Sequence, residues 1–291
     1  MKNIKILHLI YDHLNNPWVG GGGAVRVYEI YKRLAQKGHD ITIISGNYSG
    51  AKDYEEEGIS FKFLGVKNNY ILSTFSYAYF ANKFLSKNYK SYEVIIEDFA
   101  PWNPIFSFRY QHKKSIILQI QNYLGKEILK KFLLLGIPFY FVEKEYPKKF
   151  KNIIVVSESL KKRFNLIKAS VIPNGIEKVY ETITAGNYIG FIGRIDVRQK
   201  GLDLIIKVFK ELKDLNLTIA GDGKDKKRFL NMINNLTNID YIGKVKHKAK
   251  ENFFKDSKFL IMPSRFEGQG IVALEAAAMG KPLIVSDIPE L

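Results

Sequence analysis

A strand-like run, a glycine-rich break, an amphipathic stretch and a second strand-like run follow one another at the start of this chain. That order leaves few folds open. Lys5–Ile10 is apolar and leads into a loop, Tyr11 to Gly23, that carries Pro17, Trp18 and the glycines Gly20–Gly23. Ala24 to Gln36 has helical spacing, with Val27, Ile30, Tyr31 and Leu34 on one face. Gly38 ends the helix, and Asp40–Ser45 is rich in β-branched residues. Strand, helix and strand joined in this way imply a parallel sheet covered by helices.

The rest of the first half keeps this rhythm. Strands are expected at Ser60–Leu64, Val94–Glu97, Ser115–Ile120, Asn152–Val156 and Ser170–Ile172. Helices are expected near Leu72–Ser86, Lys126–Leu135 and Ser159–Asn165. Pro173-Asn174-Gly175-Ile176 reads as a turn, and Glu177 to Asn187 as a linker without periodicity. The logic then restarts. Strands are expected at Tyr188–Ile192, Leu217–Ala220, Asp240–Ile242, Phe259–Met262 and Leu283–Ser286. A helix follows Lys200-Gly201 with Ile205, Val208, Phe209 and Leu212 on one side; others are expected at Lys226–Asn234, Ala249–Phe254 and Gly270–Met279. The expected fold is α/β: two Rossmann-like, doubly wound parallel-sheet domains, residues 1–186 and 187–291. The chain stops at Leu291 just after a strand, where such a domain usually adds a helix or two, so the second domain is read as incomplete.

With no cysteine among 291 residues, a disulfide framework and a thiolate metal site are excluded. The formal charge is +16, spread over both halves. A basic surface favours phosphorylated ligands, anionic lipid or nucleic acid, or simply keeps the chain soluble. Nucleic acid is disfavoured because no zinc-finger spacing, RNP-type sequence or clustered basic helix is present. No secretory leader is read: Ile4–Ile10 is short, bears Lys5 and His8, and reads as a buried strand. The longest uncharged apolar run, Phe132 to Val142, is broken by Gly136 and Pro138 and is too short to span a bilayer. With Lys130-Lys131 before it and Lys148, Lys149 and Lys151 after it, the run resembles a membrane-edge element, although core packing explains its apolar part equally well. Tyr70–Tyr92 is also aromatic and lysine-bearing, an acceptor-side or lipid-side helix. The expected location is cytoplasmic or peripheral on the inner membrane face.

Three places carry candidate chemistry. The glycine run Gly20–Gly23 sits between a strand and a helix, where a loop faces a diphosphate; it is neither a dinucleotide fingerprint nor a Walker loop, since Arg26 stands where a third glycine would fall. Arg194 and Lys200, with Gly193 and Gly201 beside them, follow the first strand of the second half and together suit an anion. Glu267 and Glu275 bracket the turn Gly268-Gln269-Gly270-Ile271, which runs into a helix. Glycines there let backbone approach a ligand, and the helix start offers free N–H groups. Two carboxylates beside an anion site suit a ligand bearing both phosphates and hydroxyls. No histidine or further acid stands at ligand spacing, so no protein metal cage is expected. Among the histidines, His39 reads as structural, and His13 lies in the loop after the first strand, where it could line a cleft.

These residues resemble glycosyltransferase family 4, retaining nucleotide-sugar-dependent enzymes of GT-B fold. The resemblance covers nearly the whole chain. It is most specific in Phe191-Ile-Gly-Arg-Ile-Asp-Val-Arg-Gln-Lys-Gly201 and in the E-x7-E pair Glu267 and Glu275, followed by Ala-Ala-Ala-Met-Gly-Lys-Pro. Weaker matches are the glycine loop with Arg26 and Gly38-His39, Val156-Ser157-Glu158-Ser159, and Ile172-Pro173-Asn174-Gly175. The resemblance implies that an N-terminal acceptor-side domain and a C-terminal donor domain face each other across a cleft. It implies that Arg194 and Lys200 neutralise the donor diphosphate and that Glu267 contacts sugar hydroxyls; these three are the expected catalytic residues. It also implies that Gly193 and the stretch Gly268, Gln269, Gly270 and Ile271 lie near sugar and phosphate, that Glu275 binds the ribose, and that the segment around Gly243 faces the base. Gly21, Gly22 and Gly23 would approach the diphosphate from the other domain. Many members carry a histidine where this chain has Leu118-Gln119-Ile120-Gln121-Asn122, and Gln269 replaces a phenylalanine common in the family. The implied reaction needs no cofactor and no metal. A nucleotide sugar is the donor, and a glycan or lipid-linked molecule is the acceptor. The alternative is a sugar-nucleotide-binding protein or non-catalytic subunit.

Overall fold

The structure, a computed structural model, describes residues 3–19, 21–176 and 186–291. The chain divides into two compact units, Met1–Pro173 and Asn174–Leu291. The expected linker opens the second unit, and its residues 177–185 lie outside the described residues, as does Gly20.

The first unit is built on an eight-stranded sheet in the order β3-β4-β2-β1-β5-β6-β7-β8. Its strands are β1 (Lys5–Leu9), β2 (Asp40–Gly46), β3 (Tyr54–Glu56), β4 (Ile59–Leu64), β5 (Val94–Asp98), β6 (Ser115–Ile120), β7 (Asn152–Val155) and β8 (Ser170–Val171). All neighbours pair in parallel except β3 with β4. Helices α1 (Gly22–Gln36), α2 (Tyr70–Asn88), α3 (Glu127–Phe132), α4 (Gly136–Glu145) and α5 (Glu158–Arg163) connect them. Both sheet faces are covered, so strand residues of either parity are apolar. In β1, Leu7 and Leu9 enter one core with Tyr77, Ala81 and Leu85 of α2, while Ile6 enters the other with Val27 and Tyr31 of α1. Each fully buried leucine contributes roughly 1.5–3 kcal/mol.

The second unit is a five-stranded parallel sheet in the order β11-β10-β9-β12-β13. Its strands are β9 (Tyr188–Ile192), β10 (Leu217–Ala220), β11 (Ile239–Gly243), β12 (Ser257–Met262) and β13 (Leu283–Val285); its helices are α6 (Leu202–Glu211), α7 (Lys226–Ile233), α8 (His247–Asp256) and α9 (Ile271–Ala278).

The element order agrees with the sequence reading, with several corrections. The core stripe of α6 is Leu202, Ile205, Ile206 and Phe209, whereas Val208 and Leu212 are exposed. On α1, Ile30 is exposed, and Ala24 and Arg26 are buried in addition to Val27 and Tyr31. The helix expected over Lys126–Leu135 ends at Phe132, and Leu133–Leu135 form a 3-10 turn. Gly136 and Pro138 do not merely break the apolar run: they open α4. Proline in a first turn loses no hydrogen bond, because those N–H groups have no intrahelical acceptor. His13 does not line an open cleft. It is buried against Tyr48, Tyr54, Phe61 and Phe63, within 3.0 Å of both tyrosine hydroxyls, and burial pushes its pKa down from 6.5 to about 4. His39 accepts the Ile4 N–H through Nδ1 at 3.3 Å, a structural role. No helix among the described residues is long and apolar enough to cross a membrane.

Candidate functional site

Strand order places the site of the second unit. From β9 the chain moves outward to β10 and β11, then returns to the other side of β9 with β12 and β13. The loops leaving β9 and β12 therefore diverge at the carboxyl edge of the sheet, the place where open α/β sheets bind ligands. The first loop carries Gly193, Arg194 and Lys200; the second carries Glu267, Gly268, Gln269 and Gly270. Three residue pairs hold them together. The Arg265 N–H donates to the Gln199 carbonyl at 2.8 Å, and the Arg265 guanidinium forks onto both Asp203 oxygens at 2.8 and 2.7 Å. Lys200 Nζ lies 2.5 Å from Glu267 Oε1, with side chains 13% and 9% exposed. Gly201 makes this approach possible: its φ is +66°, and a Cβ there would lie 2.1 Å from the Pro263 carbonyl oxygen.

The other candidates lie on the same two loops, on α9 and at the end of β11. Arg194 is exposed. Gln269 is engaged, its Oε1 accepting the Asn174 N–H at 2.6 Å. Gly270 and Ile271 stand at the start of α9, whose first N–H groups have no partners within the helix. Glu275 lies about one turn into α9. Lys250 of α8 donates to its Oε1 at 2.5 Å, while Oε2 is buried and has no hydrogen-bond partner among the described residues. Gly243, φ +77°, ends β11 two strands away from β9, and its carbonyl accepts the Gly221 N–H at 2.8 Å.

Sequence reasoning missed the supporting residues. Asp196 is buried; burial raises its pKa, but Lys224 at 2.7 Å and the Gln199 N–H outweigh that and hold it below the usual carboxylate range. The Arg265 pair likewise lowers the pKa of Asp203. Gly221, φ +150°, packs so that a Cβ would meet the Gly193 carbonyl oxygen at 1.8 Å. The signal was present in Gly221-Asp222-Gly223 at a strand end. Lys250 gave none, because only the tertiary fold brings α8 beside α9.

The first unit has its own switch point, between β1 and β5. Gly21 precedes α1, and Gly22 and Gly23 form its first turn. A Cβ on Gly23 would lie 3.1 Å from the Gln121 amide. Gln121 and Gln119 both donate through Nε2 to Asp98 Oδ2, at 2.5 and 2.8 Å. His8 Nε2 stands 3.5 Å from the same oxygen, and its Nδ1 is 2.7 Å from the Tyr31 hydroxyl. The buried Arg26 donates to the carbonyls of Ile172 and Pro173, each at 2.9 Å. Its side chain thus ties α1 to the Pro173 turn, a link between two motifs that the sequence showed only separately. Among the described residues no three His, Asp or Glu side chains converge as a metal site.

Two Rossmann-like units in one chain, the second with a basic and acidic pair at its switch point, define a protein of the GT-B glycosyltransferase class. Residues 20–178 match the family model described as Glycosyltransferase Family 4, and residues 176–291 match Glycosyl transferases group 1. The chain belongs to glycosyltransferase family 4. An uncharacterized glycosyltransferase of Methanocaldococcus jannaschii is 37% identical over 143 residues, 47% of this chain and 40% of that protein. The O-antigen biosynthesis glycosyltransferase WclY of Escherichia coli is 25% identical over 207 residues, 62% of this chain and 56% of that protein. The aligned stretches thus cover about half the length of these relatives. The structure of HepE from Anabaena in complex with UDP and glucose matches with a TM-score of 0.71 at 16% identity, over 98% of this chain and 81% of that one.

Proposed function

We propose that the chain is a retaining glycosyltransferase that moves a sugar from a nucleoside-diphosphate sugar to a glycan or lipid-linked acceptor. The second unit holds the donor, and the first serves the acceptor. The observation that carries this reading is the Lys200–Glu267 pair at the switch point of the second unit, with Arg194 exposed on the loop that carries Lys200.

In the reaction the bond between the anomeric carbon and the terminal phosphate oxygen breaks, and negative charge grows on the departing diphosphate. Arg194, Lys200 and the N–H groups that open α9 stabilise that charge in place, without reorganisation and without calling on a metal. Glu267, fixed by Lys200, orients a sugar hydroxyl. Glu275 offers its unpartnered Oε2 to a ribose hydroxyl. Retention follows when an acceptor hydroxyl oxygen bonds the anomeric carbon on the face that the phosphate leaves and passes its proton to the departing diphosphate oxygen; no protein nucleophile is assigned. The UDP and glucose bound to HepE and the O-antigen role of WclY support this donor and acceptor class.

Glu267→Gln keeps the side-chain shape and removes the charge. The expected outcome is loss of sugar transfer, followed by product mass analysis, with UDP or GDP still bound in calorimetry. Normal turnover by the variant removes Glu267 from the mechanism. Binding without turnover in the wild-type chain leaves a sugar-nucleotide-binding subunit, a reading that the lack of a histidine in Leu118-Gln119-Ile120-Gln121-Asn122 favours.

A further inference from the structure

The first unit holds a run of large apolar side chains in water, and contiguous apolar surface often marks a binding face. α2 carries large apolar side chains on its outer face as well as its inner one. Tyr77, Ala81 and Leu85 face the core, while Ile71, Phe75 and Tyr79, four residues apart, are 61%, 49% and 63% exposed. The 3-10 turn is more extreme: Leu133, Leu134 and Leu135 are 75%, 81% and 79% exposed. Leu133 holds a positive φ of 52°, which a leucine adopts only against a steric penalty. The Phe132 ring lies 6.1 Å from Phe139, and Phe139 stacks 6.2 Å from Phe75. These contacts join the turn, α4 and α2 into one surface.

The charge around this surface is mainly basic. Residues 66–92 contain Lys67, Lys83, Lys87 and Lys90 and no acidic residue. α3 and α4 hold three acids: Glu143 is buried, Lys130 lies 2.5 Å from Glu127, and Lys148 lies 2.8 Å from Glu145. Lys83, Lys87 and Lys126 are exposed. A bilayer with anionic headgroups matches both properties at once: acyl chains take the leucines and phosphates take the lysines. Aromatic side chains such as Tyr79 suit the level between them. We infer that α2, the Leu133–Leu135 turn and α4 form a membrane-docking face that seats these leucines below the headgroups of an anionic bilayer. All its residues belong to the first unit.

Sedimentation with vesicles tests this. The 291-residue chain pellets with vesicles of equimolar phosphatidylcholine and phosphatidylglycerol and much less with phosphatidylcholine alone. Combined Leu133→Ser, Leu134→Ser and Leu135→Ser lowers the partition coefficient about tenfold or more, with an unchanged circular dichroism spectrum because the side chains are already in water. Ile167→Ser, at a site 82% exposed elsewhere in the unit, binds as wild type does. The inference is overturned if the wild type stays in the supernatant with both vesicles, or if the triple variant pellets like the wild type. It is also overturned if Ile167→Ser loses as much binding as the triple variant. A dimer in sedimentation velocity that the triple variant abolishes, with no vesicle binding, makes a second copy the occupant instead.

Discussion

Replacing Lys200 by methionine keeps the stem of the side chain and removes its charge. Lys200 Nζ lies 2.5 Å from Glu267 Oε1, and the two side chains are 13% and 9% exposed. Removing one partner strands a carboxylate that water hardly reaches, at a cost of about 3–5 kcal/mol to the second unit. An exposed pair such as Lys248 and Glu251, 72% and 20% exposed, is worth below ~1 kcal/mol. Lys200→Met/Glu267→Gln removes both charges and recovers much of the loss, giving a coupling of about 2 kcal/mol or more in a double-mutant cycle. Urea unfolding followed by circular dichroism measures it. Tryptophan fluorescence supplies an internal reference, because Trp18 and Trp102 both lie in the first unit. Losses that add to within ~0.5 kcal/mol would refute the idea that lysine and carboxylate act as one buried unit.

Two further predictions concern stability. Because burial holds His13 near a pKa of about 4 against 6.5 in its ordinary state, the unfolded chain takes up the proton first, and stability falls as pH drops from 6.5 towards 4. Glu97 and Glu143, raised by burial, act in the opposite sense, so the quantity to read is the difference between wild type and His13→Gln in the fluorescence-detected urea midpoint. That difference shrinks at low pH; a constant difference refutes the assignment. Gly201→Ala places a methyl group 2.1 Å from the Pro263 carbonyl oxygen at φ +66°, whereas Gly193→Ala places one 3.5 Å from the Phe191 ring, an ordinary contact. The first lowers the stability of the second unit by about 3 kcal/mol or more, and the second changes it by under about 1 kcal/mol. Equal effects in the dichroism-detected transition contradict the account of the two loops.

Most of the fold was legible because the strands are short β-branched runs separated by stretches of helical period. Tyr54–Glu56 was not: a three-residue polar edge strand offers no pattern, and it is held by Tyr54 stacking on Phe61 at 4.6 Å. α4 escaped because Pro138 reads as a stop in a linear sequence yet fits a first turn. The α6 stripe came out partly wrong because period alone cannot say which of two neighbouring faces meets the sheet. In the site, Lys200 and Glu267 were legible as partners of glycines at strand ends. Their ion pair, and that of Lys250 with Glu275, depend on strand order, which places residues 67 and 25 positions apart in contact. The cluster of His8, Asp98, Gln119 and Gln121 was invisible for the same reason, since β1, β5 and β6 lie far apart in sequence.

The central claim is that a nucleoside diphosphate sits at the switch point of the second unit. A crystal structure of the chain soaked with UDP or GDP tests it directly. The account predicts the diphosphate within hydrogen-bond reach of Arg194 and Lys200, with the ribose beside Glu275. A ligand bound elsewhere, or those basic side chains turned to bulk water beside an empty loop, would contradict it.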